Sequence, residues 1–293
     1  MRKSLNLLSY LPSLHRAEIV RLLNSRGARI EDVSEMKIRA HARSSVLLRG
    51  ERIHLATRAD EEELFRCVSL LCEGSLYAKR EELKEGYVCI DGGVRVGICG
   101  QARYDAGTFV GMSNVTSLVF RIPTEAFFDD EGLFDAWRET KYGMLIYSPP
   151  GVGKTTALRT LVSKIGGGFG CEVAVVDERC EFVLDEYRHS SVDILRGYRR
   201  SDGIEIALRT LSPNVIAVDE IGSAAEARAM LDSLNSGIRM IATAHAGSLD
   251  EVKMRASIRP FLEREIFDTF VGIRLENGKR RLCTDKISDR ILR

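Results

Sequence analysis

The chain has 293 residues, 44% of them hydrophobic and 29% charged, a balance that suits about two folded domains and excludes a disordered or low-complexity chain. Its 43 basic and 42 acidic residues leave a formal charge of +1, so no global field draws it to nucleic acid or an anionic membrane. No stretch reaches the ~20 apolar residues that a membrane span needs, and the opening MRKSLNLLSYLP is broken by Asn6, Ser9, Tyr10 and Pro12 before a secretory run is complete.

Seven cysteines carry no CxxC pair and no histidine at zinc-finger spacing, the pattern of free thiols in a cytosolic protein. Taken in order, residues 14–26 predict a short helix with Ile19, Leu22 and Leu23 on one face and Gly27 after it. Short strands follow at 35–40, 45–48 and 52–55. A helix starts at Asp60, because Glu63 three residues on completes a capping box and Leu64, Cys67, Val68 and Leu71 recur at helical spacing. Another helix is expected over 75–84. Strands at 87–90 and 94–103 flank Asp91-Gly92-Gly93, a hairpin signal, and 115–122 closes an α+β domain of residues 1–125.

The pattern weakens between Pro123 and Tyr142, and a linker is expected over 126–142. From 143 to 293 apolar runs alternate with amphipathic helices: strands at 144–148, 172–177, 214–218 and 238–244, helices at 154–165, 203–211 and 223–235. Such alternation means a mostly parallel sheet with crossover helices. Residues 182–201 show no period. The last twenty residues carry seven basic against three acidic side chains and are expected as a helix or tail peripheral to the sheet.

The chemistry concentrates at strand ends. An apolar strand runs into Ser148-Pro149-Pro150-Gly151-Val152-Gly153-Lys154-Thr155-Thr156, a phosphate loop in the required strand-to-helix setting, with Ser148 where the usual pattern has glycine. Backbone N–H groups and the helix dipole would wrap a polyphosphate, Lys154 would reach the outer phosphates of ATP, and Thr155 would ligate Mg2+. A second strand ends in Asp219-Glu220. Asp219 would hold magnesium through water, and Glu220 would accept a proton from the attacking water. A third ends in Thr243-Ala244-His245, where either polar side chain could sense the terminal phosphate or simply satisfy the strand end. Asp177-Glu178-Arg179 ends a fourth, readable as a second carboxylate pair ordering the site or as a surface pair with Arg179. In the first domain, Gly97-Ile98-Cys99-Gly100 reads as a hairpin or bulge rather than an RNA-binding GxxG loop, since its middle residues are apolar. Arg95, Arg103 and Arg121 flank those strands and could act as arginine fingers.

These residues resemble the ATPase family that drives type II secretion and type IV pili, in its sporulation branch. The likeness runs from about residue 35 to 270 and rests on SPPGVGKTT, VVDER, LSPNVIAVDEIG, LNSGI and IATAHAGSLDE, with SLYAKREELKEGY, GGVRVGICGQ and VTSLVFRIPTE in the first half. The resemblance implies a RecA-like core of the additional-strand, catalytic-glutamate class and a mobile N-terminal domain. It further implies a hexameric ring with ATP between the two domains. By that likeness Glu220 is the catalytic base, His245 lies in a histidine box, and Asp177 and Glu178 lie in an aspartate box. Arg95, Arg103 and Arg121 fall where the family places arginines near nucleotide. The implied role is a cytoplasmic motor, peripheral to a membrane complex, partnering membrane-embedded sporulation or secretion proteins. A nucleic-acid-associated ATPase is the alternative, suggested by the basic tail, but a stripe of Lys/Arg with interleaved aromatics is absent.

Overall fold

The computed structural model describes residues 6–90, 93–123, 131–168, 170–182, 187–276 and 279–286. They fall into two compact units, one before and one after the 123–131 interval. The Asp91-Gly92 part of the expected hairpin turn and residues 126–130 of the expected linker lie outside the described residues.

In the first unit, helices α1 (Ser13–Ser25), α2 (Glu61–Leu71) and α3 (Arg80–Lys84) accompany strands β1 (Val33–Arg39), β2 (Ser45–Leu48), β3 (Glu51–His54), β4 (Tyr87–Ile90), β5 (Val94–Asp105) and β6 (Thr108–Arg121). The strands form one sheet in the order β3-β2-β1-β6-β5-β4, antiparallel throughout. Asp60 caps α2 through the expected box, its carboxylate accepting from Glu63 N–H while Glu63 accepts from Asp60 N–H. Leu64, Cys67, Val68 and Leu71 all face the core, with Met36, Ile38, Leu118 and Phe120 of the sheet. The helix expected over 75–84 shortens to α3. The β5–β6 hairpin is longer than the sequence suggests, because its outer arms expose polar and glycine residues that carry no strand period. Gly100 sits at a register shift in β5, and a Cβ there would stand 2.9 Å from the Ser113 carbonyl. This is the bulge anticipated for the GxxG stretch.

The second unit holds α4 (Glu131–Arg138), β7 (Gly143–Ser148), α5 (Lys154–Gly168), β8 (Val173–Asp177), β9 (Val192–Arg196), α6 (Arg200–Thr210), β10 (Val215–Val218), α7 (Ala224–Asn235), β11 (Arg239–His245), α8 (Leu249–Met254), α9 (Arg259–Leu262), β12 (Thr269–Glu276) and β13 (Lys279–Lys286). Seven strands lie in the order β13-β12-β7-β11-β10-β8-β9, and all pairings are parallel except β12 with β13. Because side chains alternate along a strand, the sheet feeds two cores. Met144, Ile146, Val175, Ala217 and Ile241 meet α4 and α5 on one face. Leu145, Tyr147, Val176, Val218 and Ala242 meet α6, α7 and α9 on the other. This three-layer sandwich explains why β7, β8 and β10 read as unbroken apolar runs.

Three expectations need correction. Residues 131–142 do not behave as a linker: Leu133, Ala136 and Trp137 of α4 are buried in the second unit, and Asp268 accepts hydrogen bonds from Lys141, Tyr142 and Gly143 N–H. The segment 182–201, read as unpatterned, contains β9, whose partly exposed edge position leaves it without a clear apolar run. The basic C-terminal stretch is no peripheral tail over 279–286: β13 pairs with β12 along its length and closes one edge of the sheet. Its exposed Arg280 and Arg281 suit an edge strand, which charge protects from further pairing.

Candidate functional site

One strand separates the loop-bearing strand from the acidic one: β11 lies between β7 and β10. In a parallel sheet the functional groups collect at the carboxyl ends of the strands. Here that end gathers Ser148 from β7, Asp219 and Glu220 after β10, Thr243 and His245 from β11, and Asp177 from β8. The extra strand is what inserts Thr243 and His245 between Lys154 and the acids.

Loop 148–153 joins β7 to α5. Gly151 and Gly153 have φ of 77° and 115°, backbone that side chains with a Cβ rarely adopt, so the main chain curls back before α5 starts at Lys154. Ser148 is buried, and its hydroxyl donates to the Pro149 carbonyl at 2.9 Å, so this hydroxyl serves the turn itself. Arg280 of β13 donates to the Val152 carbonyl at 3.0 Å, tying the loop to the edge strand that the sequence alone did not place.

Lys154 is 6% exposed. Its Nζ stands 2.8 Å from His245 Nδ1 and 3.1 Å from Nε2. Burial lowers the Lys154 pKa, against the pull of Asp219, Glu220 and Glu181. Burial and the neighbouring Lys154 charge lower that of His245. A neutral imidazole with its proton on Nε2 meets both demands: Nδ1 accepts from Lys154, and Nε2 points to Glu220 Oε1 at 3.4 Å.

Thr155 donates to Asp219 Oδ2 at 3.0 Å. The other carboxylate oxygen accepts from Thr243, whose hydroxyl oxygen in turn accepts from Glu220 N–H at 2.9 Å. One buried threonine thus sets both acids. It is needed because Glu220 has φ of 49°, the left-handed region where a residue other than glycine costs on the order of 1–3 kcal/mol and persists only when its surroundings hold it. Ile221 N–H adds a bond to the Thr243 carbonyl at 2.9 Å. Arg179 donates to Glu220 Oε2.

Asp177 and Glu178 stand beside this cluster rather than in it. Each Asp177 oxygen accepts a backbone N–H, from Glu181 at 2.8 Å and Phe182 at 2.9 Å, so its carboxylate shapes the turn after β8. Burial pushes its pKa up to about 6, although those two bonds and Arg196 oppose the shift. Glu178 pairs with Arg200 at 2.9 Å. Arg200 also donates to the Asp219 carbonyl at 2.9 Å and lies 3.5 Å from Glu226, which fixes the backbone between β10 and α7. Glu181 was missed by the sequence reading. It lies against Asp219, and burial followed by that negative neighbour raises its pKa. Its signal was the spacing in Asp177-Glu178-Arg179-Cys180-Glu181, which puts a third acid just past the strand end.

The other predicted residues lie elsewhere. Pro149, Pro150, Val152 and Thr156 belong to the loop and the first turn of α5. Arg95, Arg103 and Arg121 belong to the antiparallel sheet of the first unit. Arg95 lies over the Tyr87 ring, 3.7 Å from its centroid, and is the cross-strand partner of Arg121. Arg103 sits farther along β5 and donates to Ser113 Oγ at 3.0 Å.

The residues present fit a magnesium-bound triphosphate. Among the described residues no group of three His, Cys, Asp or Glu could hold a metal alone. A hydroxyl and one carboxylate 3.0 Å apart match magnesium, which keeps waters and takes substrate phosphates as further ligands. No described helix is long and apolar enough to cross a membrane.

Comparison with known proteins agrees with the fold. The structure resembles the Legionella pneumophila ATPase DotB, with a TM-score of 0.64, 16% identity and coverage of 94% of this chain and 81% of that one. It also resembles the pilus retraction motor PilT solved with ADP, with a TM-score of 0.65, 17% identity and coverage of 94% and 83%. The fold is therefore like that of RecA-like secretion and pilus ATPases, with an antiparallel sheet in the N-terminal unit. Stage III sporulation protein AA of Bacillus subtilis (strain 168) is 29% identical over 262 residues, 84% of each chain. With the family model for sporulation stage III protein AA matching residues 10–287, the chain belongs to that family.

Proposed function

We propose that the chain is a magnesium-dependent ATPase that works as a motor for a membrane-embedded apparatus during sporulation. One observation carries the reading: a loop with two left-handed glycines ends in buried Lys154, and Thr155, Asp219 and Glu220 are linked beside it through Thr243. Glu220 would take a proton from a water whose oxygen attacks the terminal phosphorus, as the bond from that phosphorus to the bridging oxygen of ADP breaks. Lys154 would bind the phosphate oxygens, leaving His245 as it does so. Magnesium, held by Thr155 and by Asp219 through water, would neutralise charge on the phosphates.

The motor role draws support from the pilus retraction motor among the similar folds and from the sporulation relative. Extended to this chain, these relatives suggest a homo-oligomer, with a hexameric ring the specific form proposed, sited in the cytoplasm against membrane proteins. Arg95, Arg103 and Arg121 are proposed to meet nucleotide in that assembly. Full-length protein should hydrolyse ATP only with Mg2+, and Lys154→Ala should abolish both hydrolysis and ATP binding. Binding of ATP by Lys154→Ala at parental affinity would overturn the loop assignment.

A further inference from the structure

The arginine that faces the proposed base belongs to the same unit of the same chain. Asp177, by accepting the Glu181 and Phe182 amides, folds the turn after β8, and this turn aims Arg179 at Glu220. Both Glu220 oxygens are then engaged, one by Arg179 and the other facing His245 at 3.4 Å. Arg179 and His245 each take up one acceptor site of the carboxylate, and the guanidinium competes with water for the oxygen that it holds. Arg200, the neighbouring arginine, has a side chain that is 16% exposed and binds Glu178, Glu226 and the Asp219 carbonyl. The Arg179 side chain is 39% exposed. It lines a polar cavity of about 310 Å3 together with Glu220, His245 and Arg255, which leaves room for a tetrahedral anion next to the carboxylate.

A terminal phosphate brought between Lys154 and Glu220 changes the balance. Its oxygens repel the Glu220 carboxylate, and a guanidinium binds phosphate in the same forked geometry that it uses for a carboxylate. We propose that Arg179 is this chain's own transition-state arginine: it pairs with Glu220 and exchanges it for the terminal phosphate oxygens when ATP binds, freeing the base as it stabilises the transferring group. The inference rests on the ATPase reading above. It adds an arginine supplied within one subunit, separate from Arg95, Arg103 and Arg121 of the first unit.

The test compares full-length parent, Arg179→Ala, Arg179→Lys, Arg95→Ala, Arg103→Ala and Arg121→Ala, using steady-state ATP hydrolysis and equilibrium binding of ADP and ATPγS. Arg179→Ala should lower kcat by on the order of 10³ or more, the scale of a lost arginine finger. It should weaken ATPγS by about tenfold while leaving ADP within about threefold, because only the terminal phosphate is contacted. Arg179→Lys keeps the charge without the fork, so it should recover ATPγS binding but little of kcat. It also serves as the reading should the alanine variant fail to fold. None of the first-unit variants should lose as much kcat as Arg179→Ala. A parent that hydrolyses ATP alongside an Arg179→Ala variant within about threefold of it would overturn the assignment of Arg179 alone. Equal weakening of ADP and ATPγS would do the same, by showing a structural role. A folded parent that does not hydrolyse ATP would overturn the ATPase reading, and this inference with it.

Discussion

Lys154 Nζ lies 2.8 Å from His245 Nδ1, so the histidine at the end of β11 holds the buried ammonium of the loop. The bond explains how a lysine that is 6% exposed is tolerated, since a buried charge needs a partner. On the proposed function, Lys154 would leave His245 to bind phosphate, which would give the free and nucleotide-bound forms different contacts. His245→Ala should retain ATP binding, lose most hydrolysis, and lose the difference between its ATP and ADP states in an interdomain fluorescence pair. Normal hydrolysis and switching by this variant would reduce His245 to a satisfied strand-end residue.

The shifted groups give stability two opposite dependences on pH. His245 sits below its ordinary value of 6.5 through burial and the Lys154 charge. The unfolded chain therefore binds this proton first, and stability falls as pH drops from 6.5 toward the native value. Asp177 is raised from 3.8 to about 6. Its contribution is full below about 4 and is lost as pH rises through about 6, an effect on the order of 3 kcal/mol. In urea unfolding between pH 4 and 7, His245→Gln should remove the acid-side loss, and Asp177→Asn should flatten the decline between 4 and 6. Slopes unchanged from the parent in both variants would contradict these protonation assignments.

Thr243 ties the two acids together, accepting from Glu220 N–H while donating to Asp219. Thr243→Val keeps the shape and removes the hydroxyl, leaving a partly buried N–H without that acceptor. Stability should fall by ~1–3 kcal/mol, and kcat should fall as Glu220 is released from its left-handed backbone. Unfolding midpoints and turnover measured together check this. A stable variant with parental turnover would show that Glu220 is held by other means.

Much of this arrangement was legible in the sequence because the burial pattern and the chemistry coincide. The unbroken runs before Ser148 and Asp219 are strands buried on both faces, and a polar residue ending such a run can only emerge at the carboxyl edge. Asp60 and Glu63 gave the start of α2 for a similarly local reason. What escaped depends on partners distant in sequence. The edge strands β9 and β13 bury too few of their described side chains to show a period. The Arg179–Glu220 and Arg200–Glu178 pairings depend on how the turn after β8 folds back past β10, and nothing in the spacing of VVDER states which acid each arginine meets. Arg280 reaches the loop only because β13 closes the sheet.

The most direct measurement of the central claim is single-turnover ATP hydrolysis by full-length Glu220→Gln beside the parent, with ATP binding measured on the same preparations. Glutamine preserves the shape and the Thr243 bond to the backbone N–H but cannot take a proton from water. The account predicts that Glu220→Gln binds MgATP at parental affinity and hydrolyses it ~10²–10⁴ times more slowly, the usual loss for a positioned base. Turnover of ATP by Glu220→Gln at the parental rate would contradict it.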